Sequence, residues 1–550
     1  MTANMANISG NSAIPTPWTS QMQYNGLGQE ITRLLSGDIL SEWQYNEAGK
    51  PTNHDVYADL TNVGTLNTST QSGVDSGIQN GILTPTDIKN IRKVSHVRTR
   101  KYSWGISNQL KSMTNNLTGG GKITYGYDEF SNLVSAKHDG FRERIADIFR
   151  TTDDAGNIYE TQGKTDRIYA EGSRMTQANR HKQEYLDFNR KKVHDKASYA
   201  YDEEGNVVLK ATADNRVWQY EYYGNGMLAR VKHIVADYEM VEVGFRYDSL
   251  GRRVEKSTTV ISAVSENTPS TATPAKITTF VWDGNNPIHE IQNEDVTTWV
   301  FNDGFVPVAK ITKDDSYSIL TDYLGTPVEA YDSEGDKVWS AELDIYGRVM
   351  TDRNHAPKGD IDFIPFRYQG QYHDIETGLY YNRFRYYDPT TGNYTQQDPI
   401  GLAGGNPTLY AYVNNPHWAI DPFGLDEFVY QLVNKDGAVV YYGITGRDAS
   451  VRLSEHHREK DPNLKMQILT VGLTHDEARS IEGNLIRNRL LERITDYSVT
   501  DSIETQLSKS GLYNKNRGRE KERWTSQNPL NEHRDKMLDK PIDVQSKCKP

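Results

Sequence analysis

Among its 550 residues the chain holds one cysteine, Cys548. A lone thiol excludes an intrachain disulfide and any cysteine cluster for zinc. Cys548 sits in a polar tail and reads as an incidental thiol. No apolar run approaches the ~20 residues that a membrane-spanning helix needs. Residues 1–17 are polar and lack the basic start and apolar stretch of a secretory signal peptide, so export is expected to use another machine. Phenylalanine is scarce, 13 against 34 tyrosines, and hydrophobic residues reach only 36%. That composition does not suit one dense globule. Tyrosine, with its apolar ring and polar tip, fits half-exposed sheet surfaces. With 43 glycines, the chain favours many short strands and turns over helical bundles. Its length implies at least two units.

Charge divides the chain. Residues 1–425 hold 41 Lys and Arg against 54 Asp and Glu, while residues 426–550 hold 21 against 20. A near-neutral tail behind an acidic body points to two units of different function.

A short unit recurs along the body: Tyr, then Asp or Asn, two residues, then Gly. It stands at Tyr24–Gly28, Tyr45–Gly49, Tyr201–Gly205, Tyr247–Gly251 and Tyr331–Gly335, with a variant at Tyr127–Ser131. Each copy reads as a strand ending in Tyr, followed by a turn. The Asp or Asn caps its own backbone and the Gly takes positive φ. Any single copy is an ordinary turn; several copies beside strand-like sequence predict a repeated hairpin sheet. Arg216–Tyr223 and Ile277–Trp282 have strand composition. Ser262–Ala275, rich in Ser, Thr and Pro, predicts an inserted loop.

Two pentapeptides mark the end of this region, Asp398-Pro399-Ile400-Gly401-Leu402 and Asp421-Pro422-Phe423-Gly424-Leu425. Paired carboxylates can hydrolyse a peptide bond, one as base for water and one as acid. The prolines stiffen the backbone beside each Asp and the glycines allow a bend. Either Asp alone would read as a turn opener.

The repeats resemble the YD repeats of the Rhs family. The likeness sharpens at Phe366–Tyr372, Glu376–Arg383, Arg385–Pro389, Asp398–Gly405 and Leu409–Tyr412, which match the Rhs-associated core. The resemblance implies a mainly β fold, a sheet spiralling into a partial cage sealed by the core. It also implies self-cleavage carried by Asp398 and Asp421, with the cut after Leu425. An assisting arginine, if used, would be Arg383 or Arg385, because Gln397 occupies the position before Asp398. The expected units are repeats over 1–321, core over 322–425 and a small α/β domain over 426–550.

Past the boundary, Phe428–Val433 and Ala438–Ile444 read as strands joined by Lys435-Asp436-Gly437. Pairing Asn434 with Ala438 and counting outward sets Tyr430 opposite Tyr442. Taken alone, that placement reads more simply as a plain cross-strand aromatic pair. Ser450–Glu459 has helical composition, with Arg452 and His456 on one face. Met466–Val471 reads as a third strand. Thr474–Glu477 is a capping box for a helix running to about Arg493, with Ala478, Ile481, Leu485 and Ile486 buried and Glu482 beside them.

This order and spacing resemble the GIY-YIG nucleases. Val429-Tyr430 stands for the first motif and Tyr442-Gly443 for the second. Carried over, Tyr430, Tyr442, Arg452, His456, Glu482 and Asn514 are catalytic, and Glu482 holds a divalent cation, usually Mg2+. Tyr430 or Tyr442 would position or deprotonate the water, with His456 assisting, and Arg452 would hold the phosphate. Lys515, Arg517, Arg519, Lys521 and Arg523 could track a phosphate backbone; a solvated helix face interleaved with Glu520 and Glu522 explains them equally well.

The expected function is a polymorphic toxin in bacterial competition, delivering a DNase into the target-cell cytoplasm. Its expected partners are DNA, a cognate immunity protein, and secretion-system spike or chaperone proteins, with a type VI system as the route. Two alternatives stand beside it: an RNA-cleaving toxin of the same architecture, and a carbohydrate-binding surface protein without catalysis.

Overall fold

The computed structural model describes residues 2–3, 18–58, 96–179, 185–186, 192–193, 196–262, 271–350, 359–399, 408–445, 456, 463–473, 481–482, 485–486 and 537–544, with short breaks inside the longer stretches. The body is built from two long antiparallel sheets. A ten-stranded sheet runs from Thr2–Ala3 to Ile148–Phe149, and a sixteen-stranded sheet from Arg167–Ala170 to Lys337–Ser340. Strand order follows chain order, so each hairpin extends the edge left by the one before. The second sheet continues unbroken across residues 321 and 322, so the expected start of the core falls inside it. Val217–Tyr222 and Lys276–Asp283 are the strands expected near those positions. Part of the expected loop, Thr271–Ala272, pairs back onto Ile261 and Ser262.

The repeated unit explains the sheet. Strands end at Tyr24, Tyr45, Tyr127, Tyr201, Tyr247 and Tyr331, and the ladder register shifts at each of these tyrosines. Asp202 shows the turn in detail. Its Oδ1 accepts from the Asn206 amide (2.7 Å), and its carbonyl accepts from the Gly205 amide (3.2 Å). Gly205 has φ 83°, the left-handed conformation that glycine takes without steric cost. Such a turn followed by a bulge twists one hairpin relative to the next.

The tyrosines also staple neighbouring hairpins. Tyr222 donates to the carbonyl of Val207 (2.8 Å), which is the ladder partner of Tyr201. Tyr247 donates to the carbonyl of Leu228 (2.7 Å), the partner of Tyr222. The Trp282 indole donates to the carbonyl of Arg253 (2.8 Å), the partner of Tyr247. Each such bond contributes a net ~0.5–1.5 kcal/mol, and the three tie these hairpins to their predecessors. Tyr247→Phe is therefore expected to lower stability by about 1 kcal/mol in a urea melt.

The two sheets meet through Trp18, Leu35, Ile39 and Val56 packed with Val308, Ile311, Leu320 and Tyr331. The Trp18 indole donates to Ser318 Oγ (3.0 Å), which donates to the Ser36 carbonyl (2.8 Å). The described residues of 359–399 and 408–424 form an irregular segment around a small sheet of Tyr372–Asp374, Leu379–Asn382, Arg385–Asp388 and Asn393–Tyr394. Its Ile364, Phe366, Tyr381 and Tyr386 join Val231, Val243, Phe245 and Trp299 of the long sheet in one apolar cluster. Buried Arg253 locks the two together. It pairs with Asp374, and its guanidinium carbon lies 4.8, 4.9 and 4.5 Å from the ring centroids of Phe280, Tyr372 and Tyr381. A buried cation persists only with such a partner.

At the C-terminal end, four antiparallel strands lie in the order Val439–Thr445, Glu427–Val433, Lys465–Leu473, Met537–Val544. The fourth strand was not expected from the sequence. His456, Ile481, Glu482, Leu485 and Ile486 are helical, within the two expected helices. No described helix is long and apolar enough to cross a membrane.

Candidate functional site

Asp398 and Asp421 converge on one arginine. Arg385 Nη2 lies 2.9 Å from Asp398 Oδ2 and 3.4 Å from Asp421 Oδ2, and all three side chains are buried. Of the two arginines considered, Arg385 stands between the aspartates. Arg383 instead donates to the Leu250 carbonyl (3.2 Å). The Tyr394 hydroxyl donates to Asp421 Oδ2 (2.7 Å), and its ring lies 3.7 Å below the Arg385 guanidinium. Burial, and then the Asp421 charge, raise the Tyr394 phenol well above its usual value, so it stays a proton donor. Arg385 Nε also donates to the Gly424 carbonyl. Leu425 and Asp426, the expected cut site, lie outside the described residues.

The sequence places these groups through tight turns. Leu379–Asn382 and Arg385–Asp388 form a hairpin whose two-residue turn is Arg383-Phe384, with Arg383 at φ 58°. A non-glycine residue there costs of order 1–3 kcal/mol and needs support from its surroundings. The YD turn at Tyr247–Gly251 supplies it. The Tyr381 hydroxyl donates to the Gly251 carbonyl (3.0 Å) and accepts from the Arg253 amide (2.9 Å). A Cβ on Gly251 would sit 2.5 Å from the Phe384 ring. The turn ending at Gly205 seats the segment of the other aspartate in the same way. The Tyr410 hydroxyl donates to the Gly205 carbonyl (2.7 Å), and the Leu409 carbonyl accepts from the Asp398 amide (2.8 Å).

The repeat glycines thus have two duties, and substitution separates them. Gly28 and Gly251 have φ of 78° and 73°, but nothing lies within 4 Å of a Cβ on Gly28. Gly28→Ala is expected to cost about 1–2 kcal/mol of backbone strain. Gly251→Ala should cost more and also displace the Arg385 hairpin. Thermal melts of both variants check this.

In the C-terminal sheet, Asn434 does pair with Ala438 (N to O, 2.9 Å). A bulge follows, because Val433 faces Val439 while Leu432 faces Tyr441. Val440 is the extra residue, and every pair beyond it moves by one. Tyr430 therefore lies opposite Gly443, not Tyr442, and Tyr442 lies opposite Gln431 on the other face. The tyrosine beside Tyr430 is Tyr441, with ring centroids 6.1 Å apart. His456 joins them: its Nε2 shares a 2.8 Å hydrogen bond with the Tyr430 hydroxyl, and its ring centre is 5.0 Å from Tyr441. Tyr430 and His456 are fully buried, while Tyr441 is partly exposed. Glu482 is half-buried on a helical turn beside buried Ile481 and Ile486. Arg452, Asn514, Lys515, Arg517, Arg519, Lys521 and Arg523 lie outside the described residues.

The profile of the Teneurin YD-shell family matches residues 82–403, more than half of the chain. The chain belongs to that family. The match takes in Asp398 and ends before Asp421 and the C-terminal sheet. Curated relatives include Double-stranded DNA deaminase toxin A of Burkholderia cenocepacia (strain H111), 30% identical over 334 residues, which are 56% of this chain and 23% of that one. Toxin protein Tse5 of Pseudomonas aeruginosa is 29% identical over 360 residues, 59% of this chain and 25% of that one. Probable deoxyribonuclease RhsA of Dickeya dadantii is 27% identical over 386 residues, 66% and 24%. This chain thus spans about a quarter of the length of these relatives. Among solved structures, the TcdB2-TccC3 complex aligns at 17% identity with a TM-score of 0.34, covering 76% of this chain and 23% of that one.

In this YD-shell chain, sequence reasoning missed Tyr394, Asn382 and Tyr441. The loop signal sets the Asn434–Ala438 pair, while the extra residue lies beyond it at Val440, where no local signal marks it. The structure also accounts for Gly443: a Cβ there would sit 2.5 Å from the Tyr430 hydroxyl and 2.6 Å from the Tyr441 ring. Gly443→Ala is expected to push these rings apart and cost about 1–3 kcal/mol, with loss of any activity that needs them. A thermal melt beside the activity assay checks it.

Proposed function

We propose that this chain is a self-releasing toxin, a YD shell that cuts itself after Leu425 and frees a metal-dependent nuclease for use against competing bacteria. The observation that carries it is the single guanidinium of Arg385 holding both aspartates and the Gly424 carbonyl, one residue before the proposed cut. Relatives named as toxins and probable deoxyribonucleases support the same reading.

The cleavage chemistry follows from that arrangement. One carboxylate takes a proton from water, and the water oxygen adds to the Leu425 carbonyl carbon. The other carboxyl gives its proton to the Asp426 nitrogen as the C–N bond breaks. The products are a Leu425 carboxylate and an Asp426 amine. Arg385 offsets the repulsion between the aspartates and fixes their approach.

For the nuclease, Tyr441 is the phenol that can reach substrate, and the buried Tyr430–His456 pair supports it from behind. In this role Tyr441 replaces Tyr442. Proton transfer from the attacking water passes toward His456, and Arg452 holds the phosphate. Among the described residues no group of three or more His, Cys, Asp or Glu could hold a metal ion. Mg2+ accepts one or two carboxylates and keeps its waters, so half-buried Glu482 fits that mode. Bound there, the ion would neutralise phosphate charge. The basic residues from Lys515 to Arg523 would follow the DNA backbone. An immunity protein would protect the producer, and export through a secretion-system spike would carry the toxin to the target cytoplasm.

The test uses the self-cleaved preparation on plasmid DNA and on total RNA, with Mg2+ and with EDTA. Plasmid cutting that needs Mg2+ and disappears in Glu482→Ala is expected. Degraded RNA beside intact plasmid would make RNA the substrate, and two untouched nucleic acids would overturn the nuclease assignment.

A further inference from the structure

The segment that carries Asp421 is held far more tightly than two aspartates require. One turn, Asn382-Arg383-Phe384-Arg385, grips three carbonyls of Asp421–Gly424. Asn382 Nδ2 donates to the Asp421 carbonyl (2.8 Å), the Phe384 amide to the Phe423 carbonyl (3.2 Å), and Arg385 to the Gly424 carbonyl. Asn382 Nδ2 also lies 2.6 Å from the Tyr394 hydroxyl, so the grip and the Asp421 contact share one network.

The Phe423 side chain is the fourth fixed point. Its ring packs edge-on against Phe305, in the turn just before strand Val306–Ile311 of the long sheet, with centroids 5.5 Å apart at 83°. The half-buried ring forms one wall of a cavity that Trp282, Pro287, Phe301 and Gly370 also line. Gly370, at φ 84°, makes the approach possible, because a Cβ there would press into the backbone of Pro422.

We infer that Phe423 and its pocket are a register clamp for self-cleavage, setting which peptide bond reaches the aspartates. This rests on the proposed self-cleavage and deepens it. Asp421 precedes the proposed cut by four residues of chain, so its carboxylate cannot be placed independently of that bond. Sliding the segment by one residue would move Asp421 away from Arg385 and bring a different bond forward. An anchored ring, three gripped carbonyls and a glycine that admits the proline prevent that slide. Phe423 touches no reacting atom; it is a positioning residue. Displacement of a reacting group by about 1 Å can cost on the order of 10²-fold in rate.

The test follows the full chain made by cell-free translation, timing release of the C-terminal fragment and weighing it by intact mass. In Phe423→Ala, release is expected to slow by at least about tenfold, with some fragments starting at residues other than Asp426. Phe423→Leu, which keeps an apolar side chain against Phe305, should restore much of the rate and the single cut. Phe305→Ala, on the opposite wall, should reproduce the Phe423→Ala result. The pH profile of the remaining activity should match the parent, since both aspartates are intact. A cut parent chain with Phe423→Ala and Phe305→Ala cutting at the parental rate, only after Leu425, would overturn the clamp alone. An uncut parent would overturn the self-cleavage reading beneath it.

Discussion

Asp421→Asn is expected to leave the chain whole. Asparagine keeps the shape, and its amide oxygen can still accept from Tyr394, whose phenol lies 2.7 Å from Asp421 Oδ2. What it loses is the ability to carry or take a proton, which is worth roughly 10²–10⁴ in rate for a general acid or base. Asp398→Asn should behave alike, because both carboxylates sit on the same Arg385 nitrogen. Arg385→Met is a different experiment. It removes the cation between two buried carboxylates, and leaving such charges without a partner costs about 3–5 kcal/mol. That variant should lose stability together with cleavage, whereas the two Asn variants should keep their melting temperature within a few degrees. A gel of each purified variant, read beside a thermal melt, separates the two effects. Full cleavage in Asp421→Asn would remove this carboxylate from the chemistry.

The three tyrosines of the C-terminal hairpin supply the second large effect. Tyr441→Phe is expected to lower plasmid cutting by roughly 10²–10⁴, the range for loss of a proton-transferring group, with little change in stability. Tyr430→Phe should lose activity and also stability. Its hydroxyl is bonded at 2.8 Å to His456, and both residues are fully buried. Taking one partner from a buried hydrogen bond costs about 1–3 kcal/mol. Tyr442→Phe should change little, since the bulge at Val440 turns Tyr442 to the opposite face. Initial rates of plasmid nicking with Mg2+ for the three variants rank them. A large loss confined to Tyr442→Phe would return that residue to the site and reject Tyr441.

Much of the body was legible in sequence because its signals are local. Each copy names the last residue of a strand, the capping Asp or Asn and the left-handed residue, Gly in five copies and Ser131 in the sixth, within five positions. All six strands duly end at the named tyrosine. The pairing of Asp398 with Asp421 was legible too, since the repeated pentapeptide and family resemblance mark both. The choice of Arg385 over Arg383 was not. It depends on a hairpin turn whose first residue is left-handed without being glycine, and on a shell turn more than 130 positions upstream that supports it. The C-terminal register failed for a smaller reason. One extra residue in one strand reverses the facing of everything beyond it, and counting by twos cannot detect it. The strand Met537–Val544 was hidden for yet another reason: its partner, Lys465–Leu473, lies more than sixty residues away, beyond the reach of pattern.

The most direct measurement is the intact mass of the freshly purified chain, taken beside Asp421→Asn. Self-release requires two species from the parent, the second beginning at Asp426, and one full-length species from the variant. A single full-length mass from both, or the same two fragments from both, would contradict aspartate-driven self-release.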